Sequence, residues 1–267
     1  MGSPLINVMT GAVLKAGKGL LRDFGEIDRL QVSRKGTSDF VTVADTRTEK
    51  LLHKELKAAR PDFGFLMEEG GELPGKDATH RWIIDPIDGT HNFIHAIPYF
   101  CISVGLEHLN HRGQREIIAA VIYDPLHNDL FWAEKGKGAF LNDRKLAVSQ
   151  RNTLEDALFV VGKHFSGGVY DSTTAALTQK VAQAGAAVRY FGATALDLAY
   201  LAAGRLDGCW HYTLRPWDIA AGILLIQEAG GIVTDLEGKR ADAHAPNLMC
   251  ANQQLHAPLQ KLLASLR

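Results

Sequence analysis

The stretch Trp82-Ile83-Ile84-Asp85-Pro86-Ile87-Asp88-Gly89-Thr90 decides how the rest of the chain is read. Trp82-Ile83-Ile84 is a short apolar run that predicts a buried strand. It ends in two aspartates with proline between them and glycine after them. Asp, Pro and Gly are turn residues, so a tight turn is expected over 85–89. Such a turn aims both carboxylates at one point and exposes the Ile87 carbonyl beside them. Gly89 lets backbone N–H groups approach an anion closely. Hard oxygen ligands at a strand end are what Mg²⁺ requires. Taken alone, the same residues also read as an ordinary turn.

Two further acidic sites complete a cluster if the fold brings them in. Glu68-Glu69 follows the apolar run Phe63–Met67 and precedes two glycines; Asp218 follows Pro216-Trp217 and begins a helix. Separately, Asp218 reads as a helix N-cap, Asp45 as a helix-start residue and Glu68-Glu69 as a solvated pair. Together they carry more. Several carboxylates at one place repel unless cations neutralise them or their pKa values rise. Two divalent ions and a phosphate dianion remove that conflict. One metal generates hydroxide from water, and the other stabilises the leaving oxygen of an in-line displacement.

Around these sites the pattern mixes helices and strands. Helical spacing runs over 5–24, 46–60, 193–203, 219–229 and 257–266, with Thr46 and Glu49 as a capping box for the second helix. Strands are expected at 63–67, 82–84, 102–106, 117–123, 129–133, 139–141, 157–161, 187–191 and 232–234. Residues 34–38 (RKGTS) form a polar loop. No βαβ rhythm, internal repeat or linker divides the chain, so an α+β fold of layered helices and sheets is expected in one unit, residues 1–267. Within it an N-terminal lobe covers about 1–148 and a C-terminal lobe about 149–267.

Composition agrees with a globular protein. The 267 residues are 46% hydrophobic and 22% charged, with a formal net charge of -1. That balance gives no general attraction for nucleic acid. No apolar run reaches the roughly 18 residues needed to cross a bilayer. Three cysteines, Cys101, Cys209 and Cys250, lack metal-ligand spacing, and a reducing cytoplasm is the expected location. Neither GxxxxGK[ST] nor GxSxG occurs, which removes the P-loop ATPase and nucleophile-elbow readings.

Four segments in order resemble the inositol monophosphatase family of lithium-sensitive, Mg²⁺-dependent phosphatases. They are Asp39–Asp45 (DFVTVAD), Glu68-Glu69-Gly70, Trp82–Phe93 (WIIDPIDGTHNF), and Trp217–Gly222 (WDIAAG) leading into Glu228–Gly231 (EAGG). The resemblance implies a layered α/β/α/β/α sandwich of the inositol monophosphatase and fructose-1,6-bisphosphatase type, usually a homodimer. It implies one Mg²⁺ on Glu68, Asp85 and the Ile87 carbonyl, a second on Asp85, Asp88 and Asp218, and a third, weaker ion near Glu68. Thr90, partnered by Asp45, would orient the attacking water, with Glu68 beside it. The N–H groups of Gly89 and Thr90 would hold phosphate, next to Asp88.

The substrate side departs from the family. His91 replaces a threonine of DGTTNF. His211 stands where a glutamate usually contacts an inositol hydroxyl, seven residues before Asp218. The segment facing the sugar reads Gly192-Ala193-Thr194, with its hydroxyl moved by one residue. The implied substrate is a small phosphorylated polyol or sugar, inositol 1-phosphate first. Fructose bisphosphate, 3′-phosphoadenosine phosphate and histidinol phosphate are alternatives. A different class of function also stays open. Leu214–Asp218 and Ala195–Tyr200 resemble bacterial members that act as regulatory factors on RNA polymerase or the ribosome.

Overall fold

The computed structural model describes residues 2–27, 32–34, 40–162, 165–166, 169–170 and 172–264. Asp39 and most of the 34–38 loop lie outside them. Helix α1 (Pro4–Phe24) starts at Ser3, whose hydroxyl accepts the Ile6 N–H at 3.3 Å, with proline in the first turn. Its buried side is Ile6, Met9, Val13, Ala16 and Leu20, the spacing of one helix face. A hairpin of β1 (Val32–Arg34) and β2 (Phe40–Thr42) leads into α2 (Val43–Ala59). Then come β3 (Phe63–Met67), β4 (Gly71–Leu73), β5 (Asp77–Asp88) and the short α3 (Thr90–Ile94). An antiparallel run follows: β6 (Cys101–Leu109), β7 (Arg115–Asp124), β8 (Asp129–Glu134), β9 (Gly138–Leu141) and β10 (Arg144–Lys145).

The second half begins with β11 (Leu158–Val161) and the hairpin of β12 (Phe165–Ser166) and β13 (Val169–Tyr170). It continues through α4 (Ser172–Gln183), β14 (Ala187–Arg189), α5 (Thr194–Ala202) and β15 (Gly208–Tyr212). It ends with α6 (Pro216–Glu228), β16 (Ile232–Thr234), β17 (Asn247–Ala251) and α7 (His256–Ala264).

Two sheets organise these elements. One has eight strands in the order β10-β9-β8-β7-β6-β5-β3-β4, the other five in the order β14-β11-β15-β17-β16. Helices α1 and α2 cover one face of the large sheet, and Met9, Leu20, Leu52 and Leu56 pack there on Trp82, Ile84 and Val104. Helices α5 and α6 fill the space between the sheets, where Leu198, Ile219 and Leu225 meet Ile83, Ile122 and Cys250. Helices α4 and α7 cover the far face of the small sheet, with Leu177, Val181 and Leu259 on Trp210 and Met249. The result is an α/β/α/β/α sandwich of α+β class, as expected.

Three local expectations are corrected. No tight turn forms over 85–89. Strand β5 continues to Asp88, and its pairing with β6 slips there. Asp85 faces Ser103 and Asp88 faces Cys101, so three steps on β5 match two on β6. This is a bulge. Pro86 cannot donate to a ladder, which favours the irregularity at that point. Second, α2 begins at Val43, so Thr46 lies inside the helix and does not cap it. Third, the strand expected over 187–191 stops at Arg189.

Candidate active site

The bulge re-aims the end of β5. The Asp85 carboxylate accepts the Ile87 N–H at 3.0 Å, which holds the bulged backbone in place. The Thr90 hydroxyl donates to the Ile87 carbonyl at 2.8 Å. Gly89, at φ +93°, needs its missing side chain: a Cβ there would stand 3.0 Å from the Ala193 Cβ and from the Tyr99 carbonyl oxygen. Asp88 reaches across to α5. Its carboxylate accepts the N–H groups of Thr194 at 3.1 Å, Ala195 at 2.6 Å and Leu196 at 3.4 Å. These are donors that the first turn of a helix leaves unpaired. Asp88 thereby caps a helix more than one hundred residues away in the sequence.

The other acids come from three directions. Glu68 follows β3 and hydrogen-bonds Asp85. Asp45 lies in the first turn of α2 and is 1% exposed. Asp218 lies in the first turn of α6, where its carboxylate accepts the Arg215 N–H at 2.7 Å. It is therefore a first-turn acid closing onto the backbone before it, not the N-cap itself.

These five carboxylates sense one another. Burial first, then Asp45, Asp218 and Glu69, push the Glu68 pKa up to about 9. Burial together with Glu68, Asp88, Asp218 and Asp45 raises Asp85 well above the carboxylate range. Burial raises Asp88 to about 6 against the pull of the α5 amides, and raises Asp218 to about 7. Desolvation and like charges act in the same direction, opposed by His211 at Asp88 and by His211 and Arg215 at Asp218. Among the described residues, no group of three His, Cys, Asp or Glu side chains forms a finished metal cage. The reason is visible: Asp85, Asp88 and Asp218 are turned toward backbone N–H groups. The donor set still fits a hard divalent cation, because its members are oxygens whose crowding only positive charge relieves.

Beside Asp218 opens a cavity of about 170 Å³. Gly192, Thr194 and His211 line it with Asp218. Ala193 does not line it: it is 1% exposed and packs in the core between the sheets. Residues not anticipated also line the cavity, chiefly Gly162, Tyr190, Asp197 and Thr213. Thr213 adopts φ +56°, an uncommon conformation for a β-branched residue and a mark of a constrained wall. Asp197 is 2% exposed and accepts the Tyr99 hydroxyl at 2.7 Å. Its one signal in the sequence is a charge inside an otherwise apolar helix. His91 and His95 both lie on the surface.

Comparison with known proteins shows what the chain is similar to as a whole. The family model described as "Inositol monophosphatase family" matches residues 1–267. An inositol-1-monophosphatase of Rhizobium meliloti is 48% identical over 262 residues, covering 98% of this chain and 96% of that protein. A protein named Nus factor SuhB in Escherichia coli K12 is 38% identical over 264 residues, covering 99% and 96%. The crystal structure of the extragenic suppressor protein suhB of Bartonella henselae superposes with a TM-score of 0.92 at 46% identity, covering 98% of this chain and 99% of that one.

Proposed function

The chain belongs to the inositol monophosphatase family, and from that premise we propose that it is a Mg²⁺-dependent hydrolase acting first on inositol 1-phosphate. It is a phosphoric monoester hydrolase of a metal-dependent family, with a small phosphorylated substrate. The observation that carries the finer reading is the meeting of Asp45, Glu68, Asp85, Asp88 and Asp218 around the β5 bulge, each raising the others' need for a cation.

Glu68, Asp85, Asp88, Asp218 and the Ile87 carbonyl are the residues that would hold Mg²⁺, two or three ions in all. When bound, such ions supply charge for the phosphoryl oxygens and acidify a water. The chain does the rest. The Gly89 and Thr90 N–H groups bind a phosphoryl oxygen, donors already fixed before reaction and therefore effective on developing charge. The Thr90 hydroxyl, steered by Asp45, orients the attacking water at the mouth of the bulge. Glu68, a carboxylate beside that water, would help to position it. The alcohol leaves into the cavity beside Asp218. In this reading residues 1–267 are one catalytic unit. The N-terminal lobe, about 1–148, supplies the bulge and Glu68, and the C-terminal lobe supplies Asp218 and the alcohol pocket.

Release of inorganic phosphate from inositol 1-phosphate, with Mg²⁺ and with EDTA, tests this function. Mg²⁺-dependent release that EDTA abolishes is expected; hydrolysis indifferent to chelation would overturn it. We place the protein in the cytoplasm as a homodimer. Three free, buried cysteines suit a reducing compartment, and no described helix is long and apolar enough to cross a membrane. The relatives named Nus factor motivate a second role, contact with RNA polymerase or a ribosome-related partner. A pull-down that retains such a partner with Asp88→Asn would separate that role from catalysis.

A further inference from the structure

His211 is a buried imidazole with the Cys209 thiol beside it and the acids Asp197 and Asp88 near it. It sits in β15, is 1% exposed, and lines the cavity beside Asp218. Neither Nδ1 nor Nε2 makes a well-formed hydrogen bond, and the Cys209 thiol beside the ring is only a weak partner. A buried polar group left so is costly, and a ligand that supplies a partner recovers the loss.

The ring has little freedom to find another partner. Its Nδ1 edge packs on Gly162, where a Cβ would stand only 2.3 Å from that nitrogen. Glycine at 162 thus makes the space that the imidazole occupies. The remaining polar lining consists of hydroxyls and acids: Thr194, Thr213, Tyr190, Tyr212, Asp197 and Asp218. His211 is the single basic side chain among the described residues lining this cavity. Asp197 opposes an incoming anion little, because it accepts the Tyr99 hydroxyl and burial holds its pKa well above the carboxylate range.

We infer that His211 is a specificity-determining residue that lets the alcohol pocket accept phosphate esters whose alcohol carries a second anionic group. An imidazole always has at least one N–H to donate, and a carboxylate or second phosphate is the strongest acceptor to receive it. The donor is needed, not any particular charge on the ring. A plain polyol satisfies the ring through a hydroxyl, so it stays a substrate. This inference rests on the phosphatase reading above and adds the chemical class of the leaving alcohol.

The test is kcat/KM at saturating Mg²⁺ for three substrates: inositol 1-phosphate, fructose 1,6-bisphosphate and 2-phosphoglycerate. The two anionic compounds separate a second phosphate from a carboxylate. For the wild type, at least one of them is expected within about tenfold of inositol 1-phosphate. His211→Glu removes the donor and adds repulsion, and should lower the anionic-to-neutral ratio by about tenfold or more. His211→Leu removes the donor without adding charge to a buried site, and should lower the ratio in the same direction. His211→Gln keeps an N–H and should hold the ratio within about threefold of wild type. Circular dichroism confirms folding, and the Leu variant carries the test if the Glu variant does not fold. A ratio unchanged in the folded Glu or Leu variant would overturn the inference. So would a wild type that cleaves inositol 1-phosphate but neither anionic substrate. A wild type that hydrolyses none of the three, nor p-nitrophenyl phosphate, would instead overturn the phosphatase reading itself.

Discussion

Glu107 and Glu68 are acids on the same large sheet and its margin, and their surroundings push them in opposite directions. Glu107 is 1% exposed and gathers three cationic or hydrogen-bonding partners: Arg81 at 2.6 Å, Arg115 at 2.9 Å and His244 at 2.9 Å. Burial alone would raise its pKa, but His244 and Arg81 outweigh that and bring it down to about 2. Glu68 has acids for neighbours, and its pKa climbs to about 9. Burial acts on both. What differs is whether the fold supplies the counter-charge. Around Glu107 it does, and the cluster ties β5, β6 and β7 to the 240–244 segment. Around Glu68 it does not, and the deficit is the opening for cations from solution.

Breaking the acid-rich side should cost the most activity. Asp88→Asn leaves an oxygen to cap α5 but removes a charge from the cluster, and turnover with Mg²⁺ should fall about 10³-fold or more, a barrier increase of about 4 kcal/mol. Near wild-type turnover in steady-state assays would count against the cluster as the catalytic centre.

The cation-rich side should respond in stability. Glu107→Gln takes the buried charge partner from Arg115 and leaves Arg81 only the exposed Glu72, at a cost of about 3 kcal/mol, read as a melting temperature lower by roughly 6–12 °C. Its dependence on Mg²⁺ should not change. Asp218→Asn should do the reverse: in EDTA at pH 8 the variant should melt a few degrees above wild type, because one of the repelling charges is gone. Equal signs for the two substitutions would remove the contrast.

The pH dependence sharpens the same contrast. Glu107 has a depressed pKa, so its stabilisation is present above the unfolded value of 4.5 and is lost as pH falls toward about 2. Asp88, Asp218 and Glu68 have raised values of about 6, 7 and 9. In the folded protein they bind more protons than the unfolded chain does. Metal-free stability is therefore fully kept below about pH 4 and lost progressively up to about pH 9. Thermal melts in EDTA from pH 5 to 9 should show a falling melting temperature, with the gain from added Mg²⁺ growing over the same range. A gain independent of pH would contradict this.

The smallest effect is expected at Thr90. Thr90→Ala removes the hydroxyl that now bonds the Ile87 carbonyl, and kcat should fall about tenfold while the Mg²⁺ concentration for half-maximal rate stays within about twofold. A shift confined to Mg²⁺ affinity would assign Thr90 to ion binding instead of water orientation.

Much of the architecture was legible in the sequence because it rests on periodicity. Phe63–Met67 and Ile232–Thr234 form the strands that their apolar runs predict, and the α1 stripe buries the expected face. The acids of the site were legible because several charges stand where strands end and helices begin. What escaped depends on contacts distant in sequence. Turn-forming residues over 85–89 predict a turn, yet pairing with β6 draws the strand through them as a bulge. The amides that hold Asp88 lie 106–108 residues later. Strand β15 (GCWHY) has no clean alternation, so nothing local shows that His211 faces a cavity. The Glu107 cluster joins residues up to 163 positions apart and leaves no local pattern.

The most direct measurement is anomalous diffraction from crystals soaked with Mn²⁺, a stand-in for Mg²⁺, and inorganic phosphate. Ion peaks among Glu68, Asp85, Asp88 and Asp218, with phosphate on the Gly89 and Thr90 N–H groups, are the predicted result. Ions bound elsewhere, with these carboxylates still turned to the backbone amides, would contradict it.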